Sequence, residues 1–114
     1  MQMQLPMLTY YEGTRLLGAV QLDTVQTFRQ AVRLCWSQRT RRSLTGRALS
    51  EEAGLYPSHL SDYLSALETK RELPAKHIAA FEVACGNRAI TQWLARQAQL
   101  TILEQYIEPK REAA

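Results

Sequence analysis

Residues 46 to 64 read GRALSEEAGLYPSHLSDYL, two short amphipathic runs with Gly54 and Pro57 only three positions apart between them. Glycine admits the left-handed backbone that ends a helix, and proline presets the φ of a new helix's first turn. The chain therefore stops one helix here and restarts another at once, so the two must meet at a steep angle with the second projecting. Thr45 is placed to cap the first helix, with Leu49 and Ala53 pointing inward and Gly54 closing it after about two turns. In the second, Leu60, Tyr63, Leu64 and Leu67 converge on one face. Ser58, Asp62, Ser65 and Thr69 line the opposite face, with His59 and Ser61 at its flanks. A helix that needed only solubility would carry long charged side chains there. Short polar ones imply close approach to another surface.

Helical periodicity extends on both sides. Asp23 and Gln26 have the spacing of a capping box, and Val25, Phe28, Val32 and Cys35 or Trp36 form a stripe that predicts a helix ending near Gln38. After the central pair, KRELPAKH reads as a loop. Pro74 then restarts a helix carrying Ile78, Phe81 and Val83 to Cys85, which Gly86 closes. Asn87 is placed to cap a long last helix that Pro109 stops. The expectation is an all-α fold of five helices: an N-terminal segment (1–22), a central helical domain (23–87), and a C-terminal helix with a frayed tail (88–114). Within 1–22, the Glu12-Gly13 turn signal fits a hairpin, an extended arm or irregular structure.

A chain of 114 residues fits one domain, and no apolar run approaches the length that spans a bilayer. The start MQMQLPMLTYYEG lacks the charged flank and apolar stretch of a signal peptide, so a cytoplasmic location is expected. Cys35 and Cys85 lie in helical apolar patterns without CxxC spacing, as buried thiols do; no metal site is expected. Enzyme chemistry has no foothold. His59 and His77 are far apart in sequence, there is no phosphate-cradling glycine loop, and neither HExxH nor GxSxG occurs. Glu51, Glu52, Glu68 and Glu72 read as exposed helix acids, and no cofactor is implied.

The net charge is only +3, but its distribution is uneven: Thr24 to Ser50 contains six arginines (29, 33, 39, 41, 42 and 47) and no acid. Such a run is either a solvated basic surface or one that faces phosphate. Arginine outnumbers lysine eleven to three across the chain, and the guanidinium fork suits phosphate oxygens better than an ammonium does. Its position beside the helix pair favours the second reading.

In order and spacing, GRALSEEAGLYPSHLSDYL resembles the helix-turn-helix of the phage lambda repressor and Cro-like family. Leu49 and Ala53 match the inward apolar positions, Ser50 the point where the helices touch, Gly54 the turn, and Leu55, Leu60 and Tyr63 the return packing. The likeness covers roughly residues 24 to 86, and LPAKHIAAFEVACGN resembles the fourth helix of small CII-like and Cro-like regulators. It implies a lambda-repressor-like fold and a transcriptional regulator, most simply a repressor, of double-stranded DNA. Residues matching base-contact positions are Ser58, His59, Ser61 and Asp62, with Arg47 and Tyr56 nearby; the amino end of that helix would enter the major groove. The helix departs from the commonest readers, since it holds no arginine, asparagine or glutamine. Arg41, Arg42, Arg47, Lys70 and Arg71 bracket the pair as phosphate contacts. Along the last helix, Ile90, Leu94 and Ala98 suffice to pack on the domain. A second stripe of Trp93, Leu100, Leu103 and Ile107 then serves a homodimer matched to a palindromic site, or is covered by the N-terminal arm. The rival reading is an antitoxin or adaptor that uses the same scaffold to bind protein.

Overall fold

The structure, a computed structural model, describes residues 14–99. Six α-helices and one 3-10 turn make up this part: α1 Ala19–Asp23, α2 Phe28–Ser37, α3 Gly46–Ala53, α4 Pro57–Tyr63, the 3-10 turn Ala75–His77, α5 Ile78–Cys85 and α6 over 89–99. There is no strand among the described residues, only an isolated parallel bridge between Arg15 and Asn87. The fold class is all-helical, as the periodicity implies. The additional helix is α1, whose five residues are too few to register as a periodic pattern.

That helix corrects the expected start of α2. Asp23 is the last residue of α1, and its carboxylate pairs with Arg96 of α6 at 2.6 Å. The cap of α2 is Thr27, whose hydroxyl accepts from the Gln30 amide at 3.2 Å, while the Gln30 side chain accepts from the Gln26 amide at 2.7 Å. The box is thus Thr27 with Gln30, and it satisfies donors that the first turn cannot.

One hydrophobic cluster gathers Ala31, Val32 and Cys35 of α2 with Leu49 and Ala53 of α3, Leu60 and Tyr63 of α4, Phe81, Ala84 and Cys85 of α5, and Ile90 of α6. Leu17 joins it, so the end of the expected N-terminal segment is tied to the core. Its anchor is Gln92, whose side-chain amide accepts from Leu17 N at 2.9 Å and donates to Leu17 O at 3.0 Å, in the manner of a paired strand. Asn87 is fully buried and joins three elements. Its amide donates to Cys35 O and Gln38 O at the end of α2, and its carbonyl accepts from Ala89 N at the start of α6. Asn87 therefore stands one residue before the cap position, which Arg88 occupies by accepting from Gln92 N at 2.9 Å, and it cross-links the helices instead of capping α6 in the expected way. Glu82, equally buried, accepts from Thr91 N at 2.8 Å and Thr91 Oγ1 at 2.5 Å, closing the first turn of α6.

Both cysteines are buried free thiols. Burial pushes the Cys35 thiol well above its ordinary value, and its hydrogen bond with Cys85 adds to the shift, which disfavours a thiolate at Cys35.

Candidate nucleic-acid interface

The outer surface of α3 and α4 is set by three short-range features. Thr45 caps α3 through its hydroxyl, which accepts from Ala48 N at 3.1 Å. Gly54 ends the helix at φ 70°, a left-handed value that costs L-residues other than glycine. Pro57 then opens α4 in its first turn. The helices are in close contact at Gly46, where a Cβ would lie 3.2 Å from Leu60 Cδ2, and the buried Ser50 on the same helix turns its hydroxyl back to Gly46 O. A small residue at Gly46 leaves room for the Leu60 side chain, and an open cleft is lined by Gly46, Arg47, Ser50, Pro57, Leu60 and Ser61.

The amino end of α4 is on the surface. Tyr56 is 72% exposed, and Ser58 and Ser61 are exposed beside it. His59 is half-buried, packing edge-on to Tyr56 at 5.1 Å between ring centroids and to the buried Tyr63 at 6.4 Å. Its ring is thus partly committed to holding the tyrosines.

Three expectations about this helix are corrected. It ends at Tyr63, so Ser65 and Thr69 do not extend a polar helical face. Leu67 lies outside the helix and is 59% exposed, so it is not part of the inward stripe. Glu68 and Glu72 belong to the connecting loop, not to a helix.

Arg29 accounts for the early stop. Read as part of a positive surface field, it is instead 2% exposed inside the fold. Its guanidinium donates to Asp62 O at 2.6 Å, Ser65 O at 3.1 Å and Arg71 O at 3.3 Å, and to Lys70 O. Glu68 lies 3.7 Å from its Nε. One side chain thus ties the last turn of α4, through Asp62 O, to the carbonyls of Ser65, Lys70 and Arg71 in the loop that follows. Spacing alone carries a trace of this: Arg29 falls four residues after Val25 and three before Val32, on the apolar side of α2.

The remaining cations are unequal. Arg41 donates through Nη1 to Glu52 at 2.7 Å, and this hydrogen bond holds the Glu52 carboxyl below the usual carboxylate range. Arg71 Nε lies 3.2 Å from Asp62 Oδ2, so Asp62 faces a guanidinium, not an empty surface. Arg47 and Glu51 form an i,i+4 pair at 3.6 Å with both side chains highly exposed, a weak association. Arg39 stacks over Trp36 at 4.0 Å. Arg33, Arg42 and Lys70 are exposed with no acidic partner among the described residues. The acid-free run in sequence is therefore partly neutralised in space by acids of α3.

On α6, Ile90 is buried, but Leu94 is 39% exposed and Ala98 is exposed, which corrects the expected packing stripe. Trp93 packs against the core and donates its indole N–H to Val25 O at 3.2 Å. It is thus used within the chain. Leu100, Leu103 and Ile107, the rest of the expected dimer stripe, lie outside the described residues.

No group of three or more metal-ligating side chains occurs among the described residues, and none of their helices is long and apolar enough to cross a membrane. The chain matches no known family model, no curated protein and no solved structure.

Proposed function

We propose that this chain is a transcriptional regulator, most simply a repressor, that binds double-stranded DNA through α3 and α4 as a helix-turn-helix of the lambda repressor and Cro-like kind. The observation that carries this reading is the exposed amino end of α4, furnished with short polar groups and Tyr56, in a helix pair that carries exposed Arg47 on α3 and is bracketed in sequence by the exposed Arg42 and Lys70. A helix end of this kind fits the major groove while flanking cations meet phosphates. A dimer formed through the C-terminal helix would present two such ends to a palindromic site. Sedimentation as a monomer at micromolar concentration removes the dimer and leaves the rest.

The test is a salt titration of binding to random duplex DNA, followed by footprinting on the promoter next to the protein's own gene. With Arg42, Arg47 and Lys70 on phosphates, the log–log slope is expected at about −3. Arg42→Ala is expected to reduce its steepness by about 0.9 without altering sequence preference. A slope near zero rules out the proposal.

Glu52→Gln provides a second test, because the acid competes with phosphate for Arg41. Binding to random duplex is expected to tighten in the variant. The same release is expected on acidification: Glu52 titrates below the usual range, so its pair with Arg41 persists at neutral pH and is lost only as pH falls through that lowered value. Unchanged binding in Glu52→Gln would show that Arg41 does not face the duplex.

The mixed charge made by Glu51, Glu52 and Asp62 among the arginines favours the second reading, an antitoxin or adaptor with a protein partner. That protein would hold duplex DNA no more tightly as salt is lowered.

A further inference from the structure

We infer that Arg71 is the guanine-reading residue of this surface and that Asp62 is the positioning residue that aims it. The inference rests on the duplex-binding reading above and adds to it that α4, seven residues and about 10 Å long, lies along the groove so that its carboxyl end, where Asp62 and Arg71 meet, also faces base edges. Helix α4 has no side chain of its own for a bidentate base contact. The loop after it supplies one. By binding Asp62 O, Ser65 O, Lys70 O and Arg71 O together, Arg29 draws the loop back over the end of α4 and sets Arg71 beside Asp62.

The contact uses Arg71 Nε, 3.2 Å from Asp62 Oδ2. The two terminal amino groups are left side by side, a spacing that matches O6 and N7 of guanine in the major groove. The Arg71 side chain is 52% exposed and that of Asp62 28%, so the guanidinium is open to an incoming ligand while the carboxylate is the more covered partner. A carboxylate in that place orients the fork and restricts its rotamers before binding, which lowers the ordering cost. It would repel a phosphate but not a neutral base edge. Neither neighbouring arginine is so prepared. Arg41 spends a terminal amino group on Glu52, and Arg47 is barely held at 3.6 Å by Glu51.

The experiment is selection of bound sites from a randomised duplex pool by the full chain and by Arg71→Ala, Arg71→Lys and Asp62→Asn. Arg71→Ala leaves in place the backbone carbonyl that Arg29 uses, and matching urea midpoints confirm that the variants are folded. The full chain is expected to select guanine at one fixed position. Arg71→Ala should weaken binding to that site by roughly 5- to 150-fold, with little change when another base pair occupies the position. Arg71→Lys should not restore the preference, since an ammonium cannot fork. Asp62→Asn should lower guanine preference several-fold, a readout that removal of a merely repulsive acid would not move. A uniform loss on all sequences in Arg71→Ala makes Arg71 a phosphate contact and overturns the inference, as does tighter binding with unchanged preference in Asp62→Asn. Failure of the unsubstituted chain to bind any duplex at low salt is a different result: it removes the duplex-binding reading and this inference with it.

Discussion

Arg29→Met is expected to destabilise the protein by about 3–5 kcal/mol, the largest effect of any single substitution considered for this fold. Methionine fills much of the volume but donates nothing. Asp62 O of α4 and the loop carbonyls Ser65 O, Lys70 O and Arg71 O would lose the charged donor they share. Each bond to a charged donor contributes about 1.5–3 kcal/mol, and the sum falls short of four such terms because the exposed loop can open to water. Urea denaturation is the measurement, with the thermal midpoint expected to fall by roughly 10–20 °C. Arg29→Lys should recover less than half of the loss, because one ammonium cannot span carbonyls from two sides of a loop. A loss below about 1 kcal/mol would mean that the carbonyls find water without cost, and that the loop is not organised by Arg29.

Gly86→Ala is the second large effect, expected at about 3 kcal/mol or more. Gly86 closes α5 at φ 80°, where an L-residue is strained by about 1–2 kcal/mol. Space is the greater obstacle. An added Cβ would lie 2.1 Å from Thr40 Oγ1 and 3.2 Å from Thr40 Cβ and Cγ2. Thr40 cannot simply withdraw, because its amide donates to Cys85 O at 2.9 Å, and Gly86 O in turn accepts from Arg15 N at 2.9 Å. Pairing Gly86→Ala with Thr40→Gly separates the two causes. The double variant should recover the steric part and leave the left-handed backbone part, giving a coupling of about 1 kcal/mol or more in urea unfolding. Gly54 provides the control: its φ is 70°, yet nothing lies within 4 Å of an added Cβ. Gly54→Ala should therefore cost only the backbone share, about 1–2 kcal/mol.

Much of the local structure was legible because its signals act over a few residues. Thr45, Gly54, Pro57 and Gly86 each mark a helix boundary by a hydrogen bond or a backbone preference that depends on near neighbours, and each stands where expected. The inward positions Leu49, Ala53, Leu60, Tyr63 and Phe81 were equally readable, since helical spacing alone puts them on one face. The start of α2 differs from the expected one because two capping boxes adjoin in DTVQTFRQ, and only packing selects Thr27 with Gln30 over Asp23 with Gln26.

The candidate site was less legible. Its exposed members, Tyr56, Ser58 and Ser61, follow from the periodicity of α4, but the state of its charges does not. An arginine in sequence is a cation of unknown partner. Here Arg29 is drawn inside, Arg41 and Arg71 face acids from α3 and α4, and Arg42 and Lys70 face none among the described residues.

By itself the amino-acid sequence determined the helical character of the described residues, the central break between two short helices and most of the apolar faces, because propensity, capping and periodicity are local. Only the tertiary structure decided that α4 ends at Tyr63, that Arg29 is a buried clamp, and that Asp62 and Arg71 meet. Those outcomes depend on which distant carbonyls and carboxylates come within about 3 Å of a guanidinium, a distance that the packing of helices sets and sequence spacing does not.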